Sequence, residues 1–128
     1  MILADSSVVI ECERALTPRL LTIIRANGAV ICGITVAEVF AGARNPKLEA
    51  AIRATLPLFG QIAIGPDIWE KAGLNQARLR SVGLTVQLQD TIIATVAIEA
   101  GIELWTLDAH FTAMAAHRPG LVLFVEPP

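Results

Sequence analysis

The chain has 128 residues, 54% of them hydrophobic and only 17% charged, with ten Lys and Arg against twelve Asp and Glu for a net charge of -2. That length suits one domain, residues 1–128, with a core of its own, and that composition excludes a disordered chain. Uncharged stretches such as 27–37 and 54–66 stop well short of the roughly 18 to 20 apolar residues a membrane crossing needs, so no spanning segment is expected.

Residues 2–4 are predicted as a first strand, followed by a short helix capped by Ser6 and Ser7 and running to about Glu13. Thr17-Pro18 sets a cap before a proline at the first helical position, with Leu20, Leu21, Ile23 and Ile24 on the buried side and Gly28 as the stop. Residues 29–34 are rich in branched side chains and predict a strand. Residues 35–44 form the next helix, halted by Asn45-Pro46, and 47–56 a separate one. A third short strand is expected at 61–64, and Pro66-Asp67 opens a long helix to about Val82 that Gly83 closes.

Residues 90–100 are apolar on nearly every face except at Thr91, Thr95 and Glu99, which predicts a helix buried against the sheet and ended by Gly101. A fourth strand at 103–106, a short helix at 108–116 and a last strand at 121–125 complete the reading. Strands alternating with helices predict an α/β fold, a three-layer α/β/α sandwich around a mostly parallel sheet of about five strands. Ligands on such sheets bind beyond the carboxyl ends of the strands.

No basic region precedes an apolar stretch at the N-terminus, so no secretion signal is expected and the chain is placed in the cytoplasm. Cys12 and Cys32 lack metal or redox spacing and lie in apolar surroundings, which reads as two buried free thiols.

Four acids follow a strand or open a helix in this reading: Asp5, Glu38, Asp90 and Asp108. Taken singly, each has a structural use. Thr35-x-x-Glu38 reads as a capping box, Asp90 and Asp108 as N-caps, and Asp5 as an acceptor for the amides of residues 6–8. Taken together, carboxylates converging at one sheet edge repel unless cations or protons hold them. Mg2+ or Mn2+ is the expected cofactor, since both favour hard oxygen ligands and share their shell with water and phosphate. The net charge argues against a protein that coats nucleic acid. With the four acids set aside as ligands, ten basic residues face eight acidic ones, and a mildly positive surface results.

The segments ILADSSVVI (2–10), TVAEV (35–39), LQDTIIATVA (88–97) and LWTLDAHF (104–111) resemble, in order, the acidic motifs of PIN-domain ribonucleases, most closely the VapC-type toxins of bacterial toxin-antitoxin pairs. The resemblance implies a metal-dependent endoribonuclease acting on RNA, usually a homodimer, silenced by a cognate antitoxin whose C-terminal segment covers the active-site groove. It assigns metal binding and catalysis to Asp5, Glu38, Asp90 and Asp108, and orienting roles to Ser6 and Thr106. Ser7 stands where many relatives carry Asn, and Gln87 and Gln89 add amides ahead of Asp90.

Arg44 and His110 are candidate RNA contacts. Lys47, Arg78 and Arg80 are weaker ones, and Trp69 and Trp105 read as core or interface. The amphipathic helices at 17–27 and 35–56 are expected to face the antitoxin. Two other readings exist. A receiver-like signalling domain fits the length, but no Asp lies between Glu38 and Asp67 and no Lys follows Lys71. A catalytically silent PIN-like binding module fits the apolar composition, yet gives no reason to keep four repelling acids.

Overall fold

Strands of two or three residues leave no room for a long hydrophobic pattern, so single alternating side chains decide which layer each strand feeds. The computed structural model describes residues 1–128 and has four strands: β1 (Ile2–Ala4), β2 (Ala29–Ile31), β3 (Gly60–Gln61) and β4 (Glu103–Trp105). They pair in parallel in the order β3-β2-β1-β4. Seven helices cover the sheet: α1 (Ser6–Ala15), α2 (Pro18–Asn27), α3 (Gly33–Ala41), α4 (Pro46–Thr55), α5 (Asp67–Ser81), α6 (Leu88–Ala100) and α7 (His110–His117).

Alternation splits the core in two. Leu3, Val30 and Leu104 enter one cluster with Ile68 and Leu79 of α5, Ile93 of α6 and Phe111 of α7. Ile2, Ala4, Ile31 and Trp105 enter the other with Val8 of α1, Ile23 of α2, Val39 of α3 and Ile52 of α4. The sheet is thus sandwiched between α1–α4 and α5–α7, the α/β three-layer arrangement expected from the sequence. α6 is buried at every position from Thr91 to Ala97.

Local chemistry sets the ends of these elements. Thr17 and Asn45 accept from the backbone N–H of Leu20 and Leu48 at 3.1 and 2.9 Å, and each is followed by proline at the first helical position. Gly28 and Gly101 end α2 and α6 in the left-handed region, with φ of 57° and 66°, where a side chain is disfavoured. Both cysteines are free and buried, and burial pushes the Cys12 thiol up to about 11. No helix is long and apolar enough to cross a membrane.

Several expectations shift, among them β3, which is Gly60–Gln61 rather than 61–64, and α7, which begins at His110 rather than 108. α1 begins at Ser6 and takes Asp5 as its cap, so Ser6 and Ser7 lie inside the helix. α3 begins at Gly33 rather than Thr35, because β2 ends at Ile31 and Cys32 already has extended, capping geometry. α6 begins at Leu88, which places Asp90 in its first turn instead of at a cap. The last strand shrinks to a single parallel bridge between Leu104 and Leu123, leaving four strands where about five were expected. Past that bridge the tail turns away from the ladder: Phe124 packs edge-on against Trp105, and Glu126 pairs with Arg19 at 2.6 Å.

One buried polar link ties the α5–α7 layer together. Asn75, 4% exposed, donates to Thr95 Oγ1 at 3.0 Å and accepts from Arg118 Nε at 2.9 Å. Replacing Asn75 by Ala removes both bonds, and a cost of about 2 kcal/mol is expected. Urea denaturation of Asn75→Ala against the parent chain measures it, and equal midpoints would show the link to be dispensable.

Candidate functional site

The sheet order reverses direction at β1, with β2 and β3 on one side and β4 on the other, and the crevice beyond such a reversal is where open parallel sheets bind ligands. Two polar residues stand there, one past the end of each strand that flanks the crevice. Asp5 follows β1 and Thr106 follows β4, and the Asp5 N–H continues the ladder by donating to the Trp105 carbonyl at 3.1 Å.

Asp5 is 3% exposed and every part of its carboxylate is held. Oδ1 accepts from the Ser7 hydroxyl and from the Val8 N–H, and Oδ2 accepts from the Thr106 hydroxyl. The same hydroxyls accept in turn from the loop after β4: Ser7 Oγ from the Leu107 N–H and Thr106 Oγ1 from the Asp108 N–H, both at 2.9 Å. Two hydroxyl bridges therefore fix the start of α1 to the loop that carries Asp108. Burial raises the Asp5 carboxyl above its usual range, against the opposing pull of these hydrogen bonds.

Ser6, Glu38, Asp90, Asp108 and His110 line one open cleft of about 580 Å³, whose far wall is the segment 84–87. Asp5 does not line it, but its charge reaches both Glu38 and Asp90. Glu38 is raised by burial, then by the charges of Asp90 and Asp5, and the nearby Ser6 hydroxyl opposes the rise. Asp90 is raised by burial, then by Asp108 and Asp5, with His110 opposing. At the rim, Asp108 Oδ1 accepts from the His110 N–H at 2.9 Å and lies 2.9 Å from its Nδ1.

These residues fit a divalent cation by donor type, by mutual repulsion and by one further sign. Glu38 Oε1 is buried without a hydrogen-bond partner, an arrangement that costs free energy until a cation or donor meets it. As the side chains stand, no three His, Cys, Asp or Glu groups are close enough to enclose an ion. Asp5 commits both oxygens to hydroxyls, and nothing draws the like-charged groups of the cleft together.

The sequence-derived residues thus separate. Ser6, Glu38, Asp90, Asp108 and His110 share the cleft, Asp5 and Thr106 lie together at the strand ends, and Arg44 is elsewhere. Arg44 lines a neighbouring groove of about 680 Å³ walled by Ile10 and Arg14 of α1, Val39 of α3, and Leu48 and Ile52 of α4. Glu38 lines both, so groove and cleft meet at its side chain. Thr35 and Glu38 do not form the expected capping box, since both lie inside α3. Ser7, rather than Ser6, binds Asp5. Its signal was a hydroxyl two residues after a helix-capping Asp, the spacing of a local side-chain turn.

The sequence model of the PIN domain matches residues 2–117. The chain belongs to the PIN-domain family. This PIN domain is similar to a toxin-antitoxin complex from Klebsiella pneumoniae, with 26% identity, 99% of this chain and 100% of that chain covered, and a TM-score of 0.72. It is similar in fold to DNA-bound VapBC from Salmonella typhimurium, with 17% identity, 96% of both chains covered and a TM-score of 0.82. It is likewise similar to VapBC2 from Rickettsia felis bound to a promoter DNA fragment, with 18% identity, 97% and 98% covered and a TM-score of 0.81. No curated protein matches it.

The raised carboxyls of this PIN domain have a measurable consequence. Groups that hold protons more tightly when folded stabilise the fold fully below their unfolded pKa of about 4, and that stability is lost as pH rises through the raised folded values. Glu38→Gln removes one such loss. In chelator, the variant is expected to melt a few degrees above the parent at pH 8 and together with it at pH 4. Thermal melts across that range check the sign, and a parent that melts higher at pH 8 contradicts it.

Proposed function

We propose that the chain is a metal-dependent endoribonuclease that hydrolyses RNA phosphodiester bonds, acting as the toxin of a toxin-antitoxin pair in the cytoplasm. The observation that carries this reading is the cleft where Glu38, Asp90 and Asp108 gather within reach of the buried Asp5 charge. Membership of the PIN-domain family supports it, as does the likeness to a toxin-antitoxin complex at 26% identity.

Asp5, Glu38, Asp90 and Asp108 would hold Mg2+ or Mn2+. When bound, the ion neutralises phosphate charge and acidifies water. The chain's own groups prepare that site. Ser7 and Thr106 lock the Asp5 carboxylate in one orientation, and the Thr106 hydroxyl fixes the backbone of Asp108. His110 stands exposed at the rim, oriented by Asp108, where an RNA phosphate would pass. Thr85 and Gln87 present a hydroxyl and an amide on the far wall, suited to the base edges of an unpaired RNA segment.

The groove beside the cleft is the surface for the antitoxin. Ile10, Val39, Leu48 and Ile52 give it apolar side chains for a helix or extended segment, and its end at Glu38 lets an occupant reach the acids. α1 forms its second wall, and α2, expected to share this surface, does not line it. Exposed Trp69, Leu74 and Val82 supply apolar area for the homodimer that the family resemblance implies.

A catalytically silent binding module is the second reading, favoured by the dispersed acids. Cleavage of a structured RNA separates the two. With Mg2+ or Mn2+ the parent chain is expected to cut, chelator is expected to stop it, and Asp90→Asn to slow it by at least about 100-fold. Undiminished cutting by the variant or without metal overturns the nuclease assignment. For the partner surface, Leu48→Glu is expected to weaken capture of the product of an adjacent small gene by about tenfold or more. Capture at parental strength would move the interface elsewhere.

A further inference from the structure

The pair Thr35 and Glu38 is left without the capping role its spacing suggested. α3 starts two residues before Thr35, and Thr35 is buried at 0% exposure with Oγ1 lacking any hydrogen-bond partner. A helical threonine ordinarily satisfies its hydroxyl on the carbonyl four residues back. That carbonyl belongs to Ile31, which accepts the Ile62 N–H at 2.9 Å where the chain runs on past β3, and the Thr35 hydroxyl makes no bond to it. Valine fills nearly the same volume without a polar atom to satisfy, so packing alone does not account for the hydroxyl.

Glu38 Oε1 is the second buried side-chain atom without a partner. Residues three apart share one face of a helix. A helical side chain also leans toward the N-terminus and covers the turn before its own Cα. The unmet Thr35 donor and the unmet Glu38 acceptor therefore lie on one face of α3, though they make no direct bond with each other.

We propose that Thr35 is a positioning residue for Glu38: its hydroxyl donates through one internal water to Glu38 Oε1 and sets the orientation in which the carboxylate meets the metal. The inference rests on reading the acidic cleft as a metal site. A water held by Thr35 on Oε1 leaves the other oxygen to face the cleft, where Ser6 and Asp90 lie. Without it the carboxylate turns between rotamers, and ion binding has to order it.

The full chain, stripped of metal by chelator, is titrated with Mn2+ by calorimetry as parent, Thr35→Val and Thr35→Ser, with thermal melts alongside. Thr35→Val is expected to bind Mn2+ about tenfold more weakly, and its metal-free form to melt below the parent because Glu38 Oε1 loses its donor. Thr35→Ser is expected to melt lower, having lost a buried methyl, yet to bind Mn2+ within about twofold of the parent. Unchanged affinity in Thr35→Val, or an equal loss in Thr35→Ser, overturns the proposal by assigning the effect to packing. A parent chain that takes up no Mn2+ overturns the metal reading itself, a failure visible before any variant is compared. Thr35→Ala, with the same loss expected, replaces the valine variant should that one not fold.

Discussion

A carboxylate that is 3% exposed at the centre of a sheet has to be held, and the holding of Asp5 organises everything around it. Its position follows directly from β1, and its oxygens face hydroxyls from the two segments that diverge at the reversal of strand order. Because those hydroxyls also accept backbone amides of the loop after β4, the placement of Asp108 is tied to that of Asp5 across about a hundred residues of sequence. β1 and β4 are only three residues long, so these side-chain bridges extend what the ladder alone fixes.

The cleft is built against its own stability. Burial raises Asp5, burial and like charge raise Glu38 and Asp90, and a buried Glu38 oxygen is left unmet. A fold selected for stability alone would replace these acids by neutral side chains of similar size. Their presence is consistent with a site that receives positive charge, and the meeting of cleft and groove at Glu38 lets one residue serve both ligand and partner. The Lys71 pairs with Asp67 and Glu99, away from the cleft, are exposed and contribute little.

Much of this architecture was legible in the residues. Thr17-Pro18 and Asn45-Pro46 set helix starts, and Gly28 and Gly101 set helix ends, because capping and left-handed geometry are local events. The uniformly apolar stretch from Thr91 to Ala97 marked α6 as the buried helix. Boundaries decided by pairing were less legible. β2 stops at Ile31 and the C-terminal tail makes one bridge, because the tail also packs on Trp105 and pairs with Arg19, contacts that lie about twenty and a hundred residues away.

The sequence by itself named Asp5, Glu38, Asp90 and Asp108 as the candidate acids, through residue order, local periodicity and the family resemblance. Only the tertiary structure decided how they divide: Asp5 buried behind two hydroxyls, Glu38 shared between cleft and groove, Arg44 turned to the groove, Ser7 in the place expected of Ser6, and Thr35 unpaired inside α3. The reason is that burial and hydrogen-bond partnership are set by chain segments that meet only on folding. A residue's type fixes what it can bond, and its neighbours in space fix what it does.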